Sequence, residues 1–266
     1  MKTHLLLRTA TVVSLASLAA ATAAPAQTVP PPATTLRADT SLNYSRGDYG
    51  LADDTEVWVA LLNTTYETAS WRLQAALPVI NIKGPATVVG NIGDGVTSAP
   101  GRPTDDSETG LGDLTLGAAY KLGPVAQGIN VDLGARVKLP TADEDKGLGT
   151  GEVDTYVQAD VYKKLGKIVP FGTLGYRFLG SNRTYRLKDG VFASGGIASP
   201  LTTATTVGAS LNWREQIVAG GDDATELMAF AMHTLDAQWR VQGYVLKGFT
   251  DASPDLGLGA MVGYQF

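Results

Sequence analysis

The chain of 266 residues holds two histidines, His4 and His233, and no cysteine. His233 sits in Ala231-Met232-His233-Thr234, with no nearby serine and no oxyanion-hole signature, so a Ser–His nucleophile pair has no footing there. One histidine beyond the N-terminal segment, with no thiol, leaves no transition-metal cluster. Two acidic stretches, Asp105-Asp106-Ser107-Glu108 and Asp143-Glu144-Asp145, invite a calcium reading. The second lacks the residue pattern of an EF-hand loop, and solvated loop charge accounts for both. Gly147-Leu148-Gly149-Thr150-Gly151 resembles a phosphate-binding loop superficially. It precedes a strand rather than opening a helix, and no Lys-Ser/Thr follows, so turn geometry explains its glycines. No catalytic residue, metal or cofactor is expected.

The remaining charges follow a period of two. Arg37 and Asp39 alternate with Leu36, Ala38 and Thr40, and Arg136 and Lys138 alternate with Ala135, Val137 and Leu139. Successive side chains of a strand point to opposite faces, so each such segment has one apolar and one polar face. The polar faces together carry Arg37, Asp39, Arg72, Asp113, Asp132, Arg136, Lys138, Asp154, Asp160, Arg177, Arg214 and Arg240. Which face of 56–64, centred on Val57, Val59 and Leu61, points outward is ambiguous. The last eleven residues, Leu-Gly-Leu-Gly-Ala-Met-Val-Gly-Tyr-Gln-Phe, place Leu256, Leu258, Ala260, Val262, Tyr264 and Phe266 on one side. A strand apolar on one face, small or polar on the other and aromatic at its end suits a wall between lipid and water. An edge strand of a soluble β-protein is the rival reading of that stretch alone.

The chain opens with Lys2, His4 and Arg8, an Ala-rich apolar run over residues 9–24 and small residues at Ala24-Pro25-Ala26. These are the three regions of a secretory signal peptide, expected to span residues 1–26. The run is short, and too often broken by Thr and Ser, for a membrane anchor. Removing Lys2 and Arg8, with no acid lost, takes the formal charge from -5 to -7, and a basic nucleic-acid footprint is absent. No later apolar run approaches the length of a membrane helix. A closed β-barrel is the other architecture that satisfies every backbone group in lipid. The 31 glycines and a mean hydropathy near zero fit a barrel with a polar interior.

Residues 27–35, with Pro30, Pro31 and Pro32, read as an extended periplasmic leader. From residue 36 to 266 about twelve strand signals follow, at 36–44, 56–64, 69–79, 113–122, 129–139, 154–162, 168–179, 191–198, 203–214, 225–235, 238–249 and 256–266. Short links (66–68, 123–128, 165–167, 199–201, 235–237) alternate with long Gly/Asp/Pro-rich ones (45–54, 81–109, 141–153, 180–189, 215–224, 250–254). That two-beat rhythm of periplasmic turns and external loops belongs to outer-membrane barrels, and a soluble sandwich has no reason to keep it. The expected fold is therefore all-β, a single antiparallel transmembrane barrel. Tyr44, Trp71, Tyr120, Phe178, Trp213, Trp239 and Tyr264 would form its interfacial girdles.

Gly110-Leu111-Gly112-Asp113-Leu114-Thr115-Leu116-Gly117-Ala118-Ala119-Tyr120 resembles the Gly-Leu-Gly-Asp strand of the outer-membrane family named for a MetA pathway of phenol degradation. Val137-Lys138-Leu139-Pro140-Thr141, then Leu148-Gly149-Thr150-Gly151 and Asp154, resembles the same family's second signature. The resemblance implies an outer-membrane barrel, linked by name to uptake of phenol-like aromatics, and carries no catalytic residues with it. It also implies that Tyr264 and Phe266 belong to the signal read by the barrel-assembly machinery, as terminal aromatics do in that class.

The expected partners are outer-membrane lipid, the barrel-assembly machinery and a small-molecule solute, with no nucleic acid. A passive channel for a small aromatic or hydrophobic solute is the first reading, with the twelve inward charges lining its path. A closed structural or adhesive barrel acting through its external loops is the second, the same charges forming a plug. A hairpin pair between Lys138 or Arg136 and Asp154 or Asp160 is expected inside the lumen in either case.

Overall fold

The computed structural model describes residues 34–88, 96–98 and 107–266. The expected signal peptide, most of the leader, and Asp105 and Asp106 lie outside the described residues.

Alternation and turn chemistry build the strands in chain order: β1 (Thr35–Gly47), β2 (Thr55–Glu67), β3 (Trp71–Lys83), β4 (Ala86–Val88), β5 (Val96–Ser98), β6 (Ser107–Leu111), β7 (Leu114–Ala126) and β8 (Ile129–Leu139). β9 (Asp154–Lys163), β10 (Val169–Phe178), β11 (Gly190–Pro200), β12 (Thr205–Arg214), β13 (Ala224–Thr234), β14 (Trp239–Gly248) and β15 (Leu256–Gln265) complete them. Each long strand pairs antiparallel with its neighbours in sequence. β6 and β7 are consecutive pieces of one stave, since both pair with β3. The last strand returns to the first, from Arg37 opposite Gln265 to Arg46 opposite Leu256. The result is a closed barrel of twelve staves with no free edge.

The connection 81–109 is shorter than the sequence suggests. β3 runs on to Lys83 and pairs with β6 as far as Ser107, because ladder hydrogen bonds continue wherever two backbones stay in register. Part of what remains folds back as the small hairpin of β4 and β5. The link 123–128 is likewise mostly strand, bent by register shifts after Lys121 and Pro124.

The outer face is apolar, with Leu36, Leu62, Leu133, Leu174, Ile197 and Leu211 exposed around the circumference. Exposed leucines on every side are stable against hydrocarbon and not against water, so this surface lies in the outer membrane. Aromatic pairs mark its two borders. Tyr44–Trp58 and Tyr176–Phe178 stand near the long-loop end, at 4.7 and 4.9 Å between ring centroids. Trp71–Tyr120 and Trp239–Tyr264 stand at the short-turn, periplasmic end, at 5.0 and 4.9 Å. Between Tyr44, Trp58, Val245 and Leu258 the outer wall is dented by a shallow depression of about 730 Å³ over the small residues Ala231 and Gly243; it faces lipid. His233 also points outward near the periplasmic end, its Nδ1 2.9 Å from the Thr205 hydroxyl.

Candidate functional site

All twelve charged residues expected on inward faces are buried in the barrel. Most of them gather at two levels of the barrel. Near the periplasmic end, Glu67 is a hub for three cations, Arg37 at 3.8 Å, Arg72 at 3.6 Å and Lys121 closer still. Arg72 also reaches Asp132 at 3.4 Å, so five strands, β1, β2, β3, β7 and β8, are tied at one level. Beside it, Arg240 of β14 bridges across β15 to Asp39 of β1 at 2.6 Å. That bridge passes over Gly263, where a Cβ would lie 2.2 Å from Asp39 Oδ1. The glycine keeps the closing seam of the barrel clear for an ion pair. Asp160 accepts from the Thr173 hydroxyl at 2.7 Å and from Gln158 Nε2.

Near the external end, Lys138 Nζ lies 2.8 Å from Asp113 and 2.9 Å from Asp154. The hairpin pair expected from Lys138 and Asp154 is thus present, and Asp113 joins it from the preceding stave. Asp113 also accepts the Ala142 N–H at 2.9 Å, and Asp154 accepts that of Gly180 at 2.8 Å. Each carboxylate therefore fastens a loop as well as a lysine. Arg214 makes a two-point bridge to Glu226, and Arg177 donates to the Glu215 carbonyl. Arg136 differs, since its guanidinium stands 4.7 Å above the Tyr156 ring with no carboxylate in salt-bridge contact among the described residues.

Beside the expected charges, the interior carries apolar clusters. Val57, Val59 and Leu61 of β2 face inward and pack with Ile80 and Ile82 of β3. Met228, Phe230, Tyr244 and Leu246 form a second inward cluster, and Tyr156, Leu179, Tyr185, Leu187 and Phe192 a third. Glycines on neighbouring strands make room for the rings. A Cβ at Gly208 would meet Phe230 Cζ at 2.2 Å, and one at Gly259 would meet Tyr244 Cε1 at 2.1 Å. These rings therefore lie flat along the wall.

External loops fill the mouth. In the segment that resembled a phosphate loop, Leu148 is 1% exposed within the β2–β3 cluster and Thr150 is fully buried. Thr150 accepts from Asn182 through its carbonyl at 3.1 Å, and its hydroxyl lies 3.4 Å from Lys138 Nζ. Tyr185 Oη meets Thr87 Oγ1 of β4 at 3.3 Å. Three loops are therefore latched to one another and to the external ion cluster. Asp143-Glu144-Asp145 stays exposed at the rim.

Sequence reasoning missed Glu67 and Glu226. Each shares its strand's inward parity with apolar residues (Val57 and Val59 for Glu67, Met228 and Phe230 for Glu226), so alternation alone pointed the wrong way or nowhere.

The family described as "Putative MetA-pathway of phenol degradation" matches residues 38–266, nearly the whole barrel. This chain belongs to that family. The family's two signatures converge in space: Asp113, Lys138, Thr150 and Asp154 form the external ion cluster, and Thr141 Oγ1 accepts the Leu114 N–H while donating to the Gly112 carbonyl. None of the curated proteins matches the chain. Among solved structures, the fold resembles the COG4313 outer membrane channel from Pseudomonas putida F1 at 17% identity, with 92% of this chain and 100% of that one covered and a TM-score of 0.66. The NanC porin (8% identity, 85% and 98% covered, TM-score 0.56) and the KdgM porin (8%, 86% and 99%, TM-score 0.52) share the barrel more distantly.

Proposed function

We infer that this member of the family is a passive outer-membrane channel for a small, largely apolar solute, aromatic compounds included. The observation that carries this reading is the inward placement of apolar and aromatic side chains on β2, β3, β13 and β14. A barrel needs grease outside; a purely structural lumen is satisfied by cross-paired charge. Rings laid flat over glycines line a wall that a flat apolar molecule can slide along. The structural relatives described as a channel and as porins support a transport role. No chemistry is assigned to the protein, because His233 and the Thr205 hydroxyl beside it face lipid near the periplasmic end, away from the lumen. The paired inward charges hold the staves together and frame the path rather than carry the solute.

The mature chain, reconstituted in planar bilayers and in liposomes, should show discrete conductance steps and faster equilibration of a small apolar aromatic than empty liposomes. A sealed barrel with neither property would sink the channel reading and favour the alternative, a closed barrel working through its external loops. The latched mouth is the observation behind that alternative.

Assembly through the C-terminal strand is part of the same proposal. Tyr264 and Phe266 meet edge to face, their ring centroids 4.9 Å apart, and face outward at the periplasmic border, where a folding machine could reach them. Deleting Phe266 should cut the heat-modifiable, membrane-inserted fraction severalfold in cells, while urea-refolded protein in detergent still closes. Equal loss in both settings would make Phe266 a stability residue instead.

A further inference from the structure

The first external connection carries a turn that its sequence does not favour. Asp48-Tyr49-Gly50-Leu51 closes on a bond from the Leu51 N–H to the Asp48 carbonyl at 2.9 Å, with φ of +51° at Tyr49 and +73° at Gly50. Two positive φ values in succession call for Asn, Asp or Gly at the first position, and a tyrosine there costs backbone energy. Contacts outside the turn must offset that cost. The Tyr49 hydroxyl is turned back into the barrel, where it hydrogen-bonds with Ser45 and lies in the field of Glu226 and Arg214. Burial is the largest influence on that hydroxyl and pushes its pKa above the ordinary phenol value. The Arg214–Glu226 pair that it faces is itself buried.

The turn and its surroundings are held differently. Gly50 N–H donates to Asp48 Oδ1 at 2.9 Å and Arg46 Nε to Asp54 at 2.8 Å, bonds local to the hairpin that make its tip stiff enough to move as a unit. The neighbouring connection, 250–255, is fastened to the wall. The Ser253 hydroxyl accepts the Thr225 N–H at 3.0 Å and donates to the Thr225 carbonyl at 3.3 Å, and a Cβ at Gly47 would lie 2.9 Å from the Asp255 nitrogen. A Cβ at Gly50 would lie 3.5 Å from Asp251 Cβ, so the tip rests against this fixed frame. We propose that the 48–51 turn is a lid over the Arg214–Glu226 side of the mouth, latched by Tyr49 and seated against 250–255. It is a closure separate from the loop of Leu148, whose seat lies on β2 and β3. The proposal rests on the channel reading for its effect on flow, and the latch itself is read without flow.

The chain has no cysteine, so the pair Gly50→Cys and Asp251→Cys can be read without interference. The Cβ spacing suits a disulfide, and the yield of that bond in a fixed redox buffer measures the effective concentration of one loop beside the other. In the purified mature barrel in nanodiscs the bond should form. Adding Tyr49→Gly should lower the effective concentration at least about tenfold, the loss expected with one ring contact and one hydrogen bond, even though glycine suits the turn better. The strain of a cysteine at Gly50 is common to both backgrounds. Tyr49→Gly should leave the unfolding midpoint of the barrel unchanged. In planar bilayers it should raise the open probability of the reduced double-cysteine form, and oxidation should cancel the increase. No disulfide with Tyr49 in place, an equal or easier disulfide in Tyr49→Gly, a lowered midpoint, or an unchanged open probability in a conducting barrel would each overturn the lid. A barrel that never conducts in any form fails the channel reading, while the disulfide comparison still decides the latch.

Discussion

Lys138→Met should lower the unfolding free energy of the refolded barrel by about 3–5 kcal/mol, the loss expected when one member of a buried ion group is removed and its partners stay behind. Lys138 is 1% exposed, and it separates Asp113 from Asp154, which is fully buried. Methionine fills a similar volume but leaves two carboxylates facing each other in a poorly hydrated site. Both carboxylates also accept backbone N–H groups from loops, from Ala142 and from Gly180, so their disruption would loosen the mouth as well. Equilibrium urea titration of refolded protein, followed by tryptophan fluorescence, measures the effect. Adding Asp113→Asn and Asp154→Asn to Lys138→Met should recover much of the loss, because neutral amides need no counter-charge. A single mutant within about 1 kcal/mol of the parent would mean that water reaches this cluster freely and screens it.

Leu148→Ala should open the external mouth without dissolving the barrel. Leu148 hangs from a connection and packs against Val57, Val59, Leu61, Ile80 and Ile82 of two staves. Truncating a buried leucine costs about 2–5 kcal/mol, and here the cost falls on the docked state of the loop, since the staves keep their ladder hydrogen bonds. If the loop leaves and returns as a unit, a bias of about 2.7 kcal/mol changes the open fraction by about a hundredfold until the open state dominates. Single-channel recordings should therefore show an open probability raised at least about tenfold in Leu148→Ala. The unfolding midpoint of the barrel should move little. Unchanged gating with a reduced midpoint would place Leu148 in the structural core of the wall and remove the loop as the gate.

The strand content was local information. Period-two alternation in 129–139 or 154–162 follows from pleat geometry and one lipid-facing side, and Gly, Asp and Pro between strands mark the turns. The rhythm of short and long links therefore revealed an even number of staves and a closed sheet. The family signatures reached further: Lys138 before Pro140 and Asp154 after the glycine-rich turn placed two opposite charges on facing strands of one hairpin, where they meet at 2.9 Å.

What alternation did not determine is which face of β2 and β13 looks inward. Both faces of these strands carry apolar residues, one meeting lipid and the other meeting apolar neighbours across the lumen, so local hydrophobicity has no sign to offer. Pairing over long sequence separation decides it: β1 closes on β15, which brings Arg240 to Asp39, and Glu67 gathers cations from three other strands. The descent of Leu148 and Thr150 into the mouth is of the same kind. A Gly-Leu-Gly-Thr-Gly run is a turn wherever it stands; a binding place for its leucine exists only after β2 and β3 have been brought side by side.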